Sequence, residues 1–399
     1  MEKIRFFDIA GVAFACCLAA VSCDDKGKDE PQSDNPAVYI TDKAKIETVR
    51  SLKDLDGTGR IYEMHYTADY KLDEVLEAGP VTTTDLQAFV FQTLFDKMPS
   101  KSVDMGYGAG CSAFAVREAG SGDFLMGRNF DYRHRNPATG EGDLPISAIV
   151  LHTSPKGGKK SVSIADSYWL GYFQGFYNDG KTDISALVGA PYVIMDGINE
   201  DGFAIGILAL DGTPAQQNYP DRKHRTSTST TMRMLLDRVS TVDQAIKMLN
   251  EYNVNMAMAS KGSYHFFMAD ATGDYATVEY VCPKGSDIPS EMDVIRGADT
   301  CRYVTNFYLS PAMAETPHGS KYSQHGRARY DTLAVRLAGY GYRPTANQAM
   351  KLLGEVSQSS VEGTPTSHTQ WSSLYNLSDR SLRLAILQEY AKEFKFKVK

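Results

Sequence analysis

The pattern of this chain changes at a glycine-rich stretch, Gly106, Gly108 and Gly110, that runs into Cys111. Before it, over roughly residues 44–98, apolar residues recur at helical spacing. Thr84 is the expected cap of a helix carrying Leu86, Phe89, Val90, Leu94 and Phe95 on one face. After it come short apolar runs bounded by turn residues, which predict strands at 112–117, 124–127, 146–152, 191–195, 203–210, 264–268, 277–281, 303–307 and 382–388. Gly120, Ser121 and Gly122 supply a turn between the first two. Helical patterns interrupt the strands at 228–238 and 327–337. Two more helices follow the capping-box signatures Thr241/Gln244 and Thr345/Gln348. Strands, then paired helices, then strands imply an α+β chain with antiparallel sheets.

The first residues read as an address. Lys3 and Arg5 precede an uncharged run from Ile9 to Ser22, too short to span a bilayer comfortably, so residues 1–22 are expected to be a signal peptide. Small residues before Cys23 resemble a bacterial lipobox, which implies lipidation of Cys23, a membrane anchor and export to the periplasm or outer membrane, with cell-surface exposure as a further option. Residues 23–36, rich in Asp, Lys and Glu, are expected to be a tether without a core. With 42% hydrophobic residues the remainder can build a sizeable core. The net charge of -7 and the lack of a basic block argue against a nucleic-acid partner. No nucleotide loop, paired CxxC or HExxH is present, so neither cofactor nor metal is expected. Of six cysteines, Cys282 and Cys301 could pair in an exported chain or remain two buried thiols.

The chemistry concentrates around Cys111. Gly110-Cys111-Ser112 stands at a strand start, and after a strand–turn–strand comes Gly127-Arg128-Asn129-Phe130-Asp131. Three later segments keep a fixed order with these: 196–203 (Asp-Gly-Ile-Asn-Glu-Asp-Gly-Phe), Thr305-Asn306, and 369–376 around Trp371-Ser372-Ser373. Together they resemble the choloylglycine hydrolase family of N-terminal nucleophile hydrolases, which includes bile salt hydrolases and penicillin V acylases, over Cys111 to about Gln388. The resemblance implies a four-layer αββα sandwich and an amide hydrolase whose nucleophile is a cysteine freed at a new chain end. It implies that Arg128 lies beside the sulfur, that Asp131 orients the α-amine, and that Asn306 donates to the oxyanion. An arginine early in the following helix completes the set. Arg327 is taken as the match and Arg329 stays open, because spacing does not separate them.

A thiol attacks only as thiolate, and an α-amine, with a pKa of about 7.7–8.0, can take its proton near neutrality. No histidine is then required, and none of the eight stands in a recognisable motif. Glycines at and before residue 110 permit a strained peptide at Gly110–Cys111 that the sulfur could attack. The expected organisation is therefore signal 1–22, tether 23–36, a mostly helical pro-segment 37–110 resembling that of acid ceramidase-type amidases, and a catalytic domain 111–399. The pro-segment either stays bound or leaves after cleavage. Leu208 and Ala209 stand where the family often has a polar oxyanion side chain, which puts a bile-salt substrate in doubt. Tyr168, Trp169, Tyr172, Phe173, Phe176 and Tyr177 suggest a lid or wall for an apolar acyl group, or plain packing. The expected partner is a small N-acyl amide. Competing readings are a bile salt hydrolase or penicillin V acylase proper, a surface lipoprotein that binds an acyl ligand without turnover, and a cysteine peptidase with a histidine partner.

Overall fold

The computed structural model describes residues 34–97, 109–136, 139–140, 144–256, 263–297, 302–359 and 368–399. The signal peptide, Cys23, most of the tether and the proposed partner Cys301 of Cys282 lie outside the described residues.

In chain order the helices are α1 (Lys43–Arg50), α2 (Leu72–Ala78), α3 (Thr83–Phe89), α4 (Thr228–Arg238), α5 (Val242–Leu249), α6 (Arg327–Gly339) and α7 (Ala346–Glu355). The strands are β1 (Lys53–Asp54), β2 (Ile61–Tyr66), β3 (Ala109–Arg117), β4 (Phe124–Tyr132), β5 (Ala148–Thr153), β6 (Ser161–Asp166), β7 (Ile194–Asn199), β8 (Ala204–Leu210), β9 (Lys223–Ser227), β10 (Tyr252–Asn255), β11 (Ser263–Ala269), β12 (Tyr275–Val281), β13 (Glu291–Ile295), β14 (Tyr303–Val304), β15 (His368–Asn376), β16 (Ser381–Ile386) and β17 (Phe394–Lys397).

Two sheets face each other. One has nine strands in the order β1-β2-β5-β6-β7-β8-β11-β12-β13, the other six in the order β14-β3-β4-β15-β16-β17. Helix α4 packs on β7 and β8, while α6 and α7 pack on β3, β4, β14 and β15. The result is the αββα arrangement implied by the motifs. Its inner core includes Ala113, Met126, Phe130, Trp371 and Tyr375 from one sheet and Ile198, Ala204, Leu208 and Phe267 from the other. A second cluster, with Phe114, Leu125, Leu333 and Leu353, lies under α6 and α7.

The segment 37–110 departs from the expected mostly helical form. It carries α1, α2 and α3, but between them β1 and β2 enter the nine-stranded sheet. β2 runs parallel to β5, from Ile61 opposite Ala148 to Tyr66 opposite Thr153. Its burial alternates, with Met64 and Tyr66 inside and His65 outside, as a strand with one covered face requires. Val49, Tyr62, Met64, Tyr70, Val75 and Leu94 join the main core, and each such side chain is worth roughly 2 kcal/mol on burial. Tyr66 also donates to the Val188 carbonyl at 2.7 Å and Tyr70 to Asp237 at 2.5 Å.

Helix starts follow side-chain chemistry. Thr345 and Gln348 form the expected capping box. At α3 the cap is Thr82 rather than Thr84, because Asp85 stands three residues on and closes the reciprocal pair with Thr82. At α5, Thr241 caps as expected, but the Gln244 side chain accepts from Ser240 N–H instead of Thr241.

Candidate active site

β3 and β4 pair with Cys111 opposite Phe130 and Ala113 opposite Arg128. Side chains alternate along a strand, so Cys111, Arg128 and Phe130 point into the space between the sheets, while Ser112, Asn129 and Asp131 point toward α6 and α7. The motif Arg-Asn-x-Asp thus divides its charges between two faces of one sheet.

On the inner face the Cys111 sulfur lies 3.8 Å from Arg128 Nη2. Arg128 is fully buried and donates to the Ile207 carbonyl at 2.7 Å. Its Nη1 forms an ion pair with Asp196. Asp196 also accepts from Trp371 Nε1 at 3.0 Å, Ser373 Oγ at 3.1 Å and the Tyr375 hydroxyl. Those three donors stand at alternate positions of β15 and so share a face. A buried charge is tolerable only with such partners. Arg128 crosses between the sheets over Gly206 of β8, where a Cβ would meet its Cδ at 2.7 Å.

On the outer face Asp131 accepts from Thr369 Oγ1 at 2.6 Å and Gln358 Nε2 at 2.7 Å. Arg329 approaches it to 3.6 Å. Burial pushes the Asp131 carboxyl above the usual carboxylate range, against the pull of Arg329 and the two hydrogen bonds. Arg329 also donates to the Cys111 carbonyl, to Ser112 Oγ at 2.8 Å and to Asn306 Oδ1 at 2.6 Å. Asn306 Oδ1 accepts the Cys111 backbone N–H as well, at 2.9 Å, and its Nδ2 donates to the Ala209 carbonyl at 2.8 Å. Two donors on one atom and an acceptor on the other fix the amide's orientation.

The structure therefore gathers Cys111, Arg128, Asp131 and Asn306, and corrects the fifth residue. Arg327 turns to the Ser320 carbonyl and stacks over Phe307 at 4.2 Å; the site arginine is Arg329. Two residues apart on a helix means about 200° of rotation, so only one of them can face the sheet. The phase is set by Gly326, whose φ of 76° starts α6 and whose missing Cβ leaves room for Thr305 Oγ1. Ala209 contributes its carbonyl to the site, by orienting Asn306. The backbone nitrogen of residue 111 bonds to Asn306, and the Asp131 carboxyl is held by Thr369, Gln358 and Arg329.

Cys111 is 2% exposed. Burial raises its thiol pKa, and Arg128, already paired with Asp196, only partly offsets this. Burial thus favours the protonated thiol.

Three participants carried no usable sequence signal. Asp196 stands first in the 196–203 segment with no role of its own, and Gln358 belongs to no motif. His265 is fully buried, with Nε2 at 2.8 Å from the Thr305 carbonyl and Nδ1 at 3.0 Å from Glu279 Oε1. Glu279 in turn accepts the N–H groups of Leu309 and Ser310, both at 2.9 Å. This brace holds the backbone beside Asn306.

The aromatic run at 168–177 does not form a flexible lid. Tyr168, Trp169, Tyr172, Phe176 and Tyr177 are buried, and Tyr172 stacks on Phe176 at 4.3 Å. It reaches the site through ring contacts: Trp169 meets Tyr132 at 5.7 Å, Tyr132 stacks on Phe130 at 5.8 Å, and Phe130 packs on Trp371 at 4.3 Å.

A sequence model of the family described as acyl-coenzyme A:6-aminopenicillanic acid acyl-transferase matches residues 182–389, more than half of the chain. The chain belongs to that family. This is the penicillin acylase and choloylglycine hydrolase group to which its motifs pointed. The match begins after Cys111, Arg128 and Asp131, so their placement rests on the strand geometry. Among solved structures, penicillin V acylase from Agrobacterium tumefaciens is 17% identical, with 69% of this chain and 83% of that chain covered and a TM-score of 0.44. Two variants of conjugated bile acid hydrolase from Clostridium perfringens are 11% and 12% identical, each covering 72% of this chain and 92% of theirs, with TM-scores of 0.45 and 0.47. No curated protein matches.

Proposed function

We propose that this chain is an amide hydrolase that cuts its own Gly110–Cys111 bond and then acts through the freed Cys111. The observation that carries the reading is that one residue has its sulfur at Arg128 and its backbone nitrogen on Asn306, while Arg329 grips its carbonyl. Both groups needed by an N-terminal cysteine nucleophile are thus held before any cut.

In the first reaction the Cys111 sulfur adds to the Gly110 carbonyl carbon, and the C–N bond breaks as the residue-111 nitrogen takes a proton. Water then hydrolyses the thioester, leaving a Gly110 carboxylate and a Cys111 amine. In the second, that amine accepts the thiol proton and the thiolate attacks the acyl carbon of the substrate. The amine returns the proton to the leaving nitrogen, and water releases the acid. An oxyanion donor of this kind is worth about 10²–10³ in rate. Asn306 supplies it from the side-chain N–H not engaged by Ala209, and Asp131 accepts from the new amine.

The substrate class is an N-acyl amide with an apolar acyl group laid along Phe130, Tyr132 and Trp169. The family match and the aromatic wall support this reading; the lack of a polar side chain at Leu208 and Ala209 favours it over a bile-salt or penicillin V substrate. The buried Arg128 beside the sulfur, ion-paired to Asp196, speaks against a merely ligand-binding chain. The N-terminal segment stays bound after cleavage, because β2 is an internal strand of the larger sheet. Export as a lipoprotein anchored at Cys23 remains part of the proposal. Among the described residues no helix is long and apolar enough to cross a membrane.

The test is to add hydroxylamine, which attacks thioesters, to an assay with N-palmitoyl and N-acetyl amides. Acyl hydroxamate should form faster from the palmitoyl substrate and not at all with Cys111→Ala. Turnover that survives Cys111→Ala removes the nucleophile assignment, and a preference for N-acetyl removes the substrate class.

A further inference from the structure

Glu63, His65 and His152 meet at the seam between the N-terminal segment and the rest of the molecule. In the parallel β2–β5 pair His65 stands directly opposite His152, so both side chains leave the sheet on one side. Glu63 is two residues before His65 and shares that side. The imidazole rings stack with centroids 4.6 Å apart and planes 21° apart. His152 Nε2 lies 2.9 Å from Glu63 Oε1. One donor atom from each of the three residues lies within 4.8 Å of the others. His65 is exposed, and the Glu63 and His152 side chains keep 25% and 17% of their surface.

We propose that these residues form a binding site for a divalent ion of the zinc class, which ties β2 of the N-terminal segment to β5. Two imidazoles and one carboxylate are a recurring zinc donor set, with a fourth position left to water. Tetrahedral zinc–ligand bonds of about 2.0–2.2 Å ask the donor atoms to close by up to about 1.5 Å from their widest present separation. The exposed His65 ring can turn to do this without disturbing the core. Without an ion, Glu63 holds His152 and the His65 ring stacks on that imidazole. With an ion, both lone pairs are used.

The donor set escapes sequence motifs because it comes from paired strands. Glu63-x-His65 gives two ligands at strand spacing, and the third lies on a neighbour far along the chain. The ion would act as a staple: its ligands span the two fragments that the proposed cleavage creates. The site itself does not depend on that cleavage, since β2 and β5 pair in the uncut chain.

The experiment is calorimetric titration of chelator-stripped full-length protein with zinc chloride near neutral pH, alongside thermal unfolding with and without the ion. Wild type should bind one ion per chain, and its unfolding midpoint should rise with zinc and fall back with EDTA. His65→Ala, Glu63→Gln and His152→Ala should each weaken binding by at least ~10-fold. His224→Ala, an exposed histidine elsewhere, should bind as wild type. His65→Ala removes only an exposed side chain, so circular dichroism should show it folded even where His152→Ala is not. Absence of zinc binding by wild type, or equal affinity in the His65→Ala and Glu63→Gln variants, overturns the site. None of these readouts involves Cys111, so failure here leaves the hydrolase reading standing, and the reverse.

Discussion

Arg329 Nη2 donates to Asn306 Oδ1 at 2.6 Å, on the same oxygen that accepts the Cys111 N–H at 2.9 Å. That shared oxygen ties the start of α6 to the nucleophile through a single amide. Its loss should therefore be felt in both self-cleavage and turnover. Arg329→Ala is expected to slow cleavage by about 10²-fold or more, followed as appearance of two bands on a denaturing gel. Arg329→Lys should not restore it, because an ammonium cannot reproduce the fork that reaches Cys111, Ser112 and Asn306 together. Arg327→Ala should remain within a few-fold of wild type.

The Arg128–Asp196 pair predicts a stability effect. Asp196→Asn leaves a buried guanidinium without its counter-charge, which costs on the order of 3–5 kcal/mol. Urea denaturation should show the midpoint falling by that equivalent. Gly206→Ala perturbs the same guanidinium by shape alone: the new methyl would sit 2.7 Å from Arg128 Cδ. It should slow cleavage although no polar group is removed, and a normal cleavage rate would show that Arg128 need not lie where it does.

His265 makes a prediction that a sequence reading opposes. With no histidine in a motif, all eight would be dispensable. The brace from Glu279 through His265 to the Thr305 carbonyl says otherwise for this one. His265→Ala should lower kcat by roughly 10-fold with little change in KM, because it loosens Asn306 without touching substrate. Substitution of exposed His224 should change neither constant.

Asp131 sets a pH dependence. Burial raises its carboxyl pKa in the folded chain, so between the usual carboxylate value and the raised value the native state holds a proton that the unfolded state lacks. Its relative contribution to stability is present at low pH and is lost as pH rises through the raised pKa. Relative to Asp131→Asn, wild type should thus gain stability as pH falls through that window, measured by urea denaturation at several pH values. Turnover should move the other way, since a protonated Asp131 no longer accepts from the Cys111 amine.

What the sequence reveals here divides along physical lines. Cys111, Arg128 and Asp131 were legible because they sit within one hairpin, where spacing along the chain is spacing in space. Asn306 was legible from a local dipeptide at a strand end. Arg329 was not separable from Arg327, because helix phase depends on where Gly326 starts α6. Asp196 and His265 act across sheets, and their partners could not be read from neighbours in sequence. The run 61–66 reads as part of a helical stretch because it is short and its pairing partner, β5, lies beyond the nucleophile hairpin. The aromatic run 168–177 gave its composition but not its packing.

The proposed chemistry requires residue 111 to be a chain end. Intact-mass measurement of purified, active protein under denaturing conditions tests it most directly. Expected are a fragment whose mass begins at a free Cys111, co-eluting with the N-terminal fragment on a native sizing column, and a single uncut species for Cys111→Ala. Full activity in protein whose Gly110–Cys111 bond is still intact would contradict it.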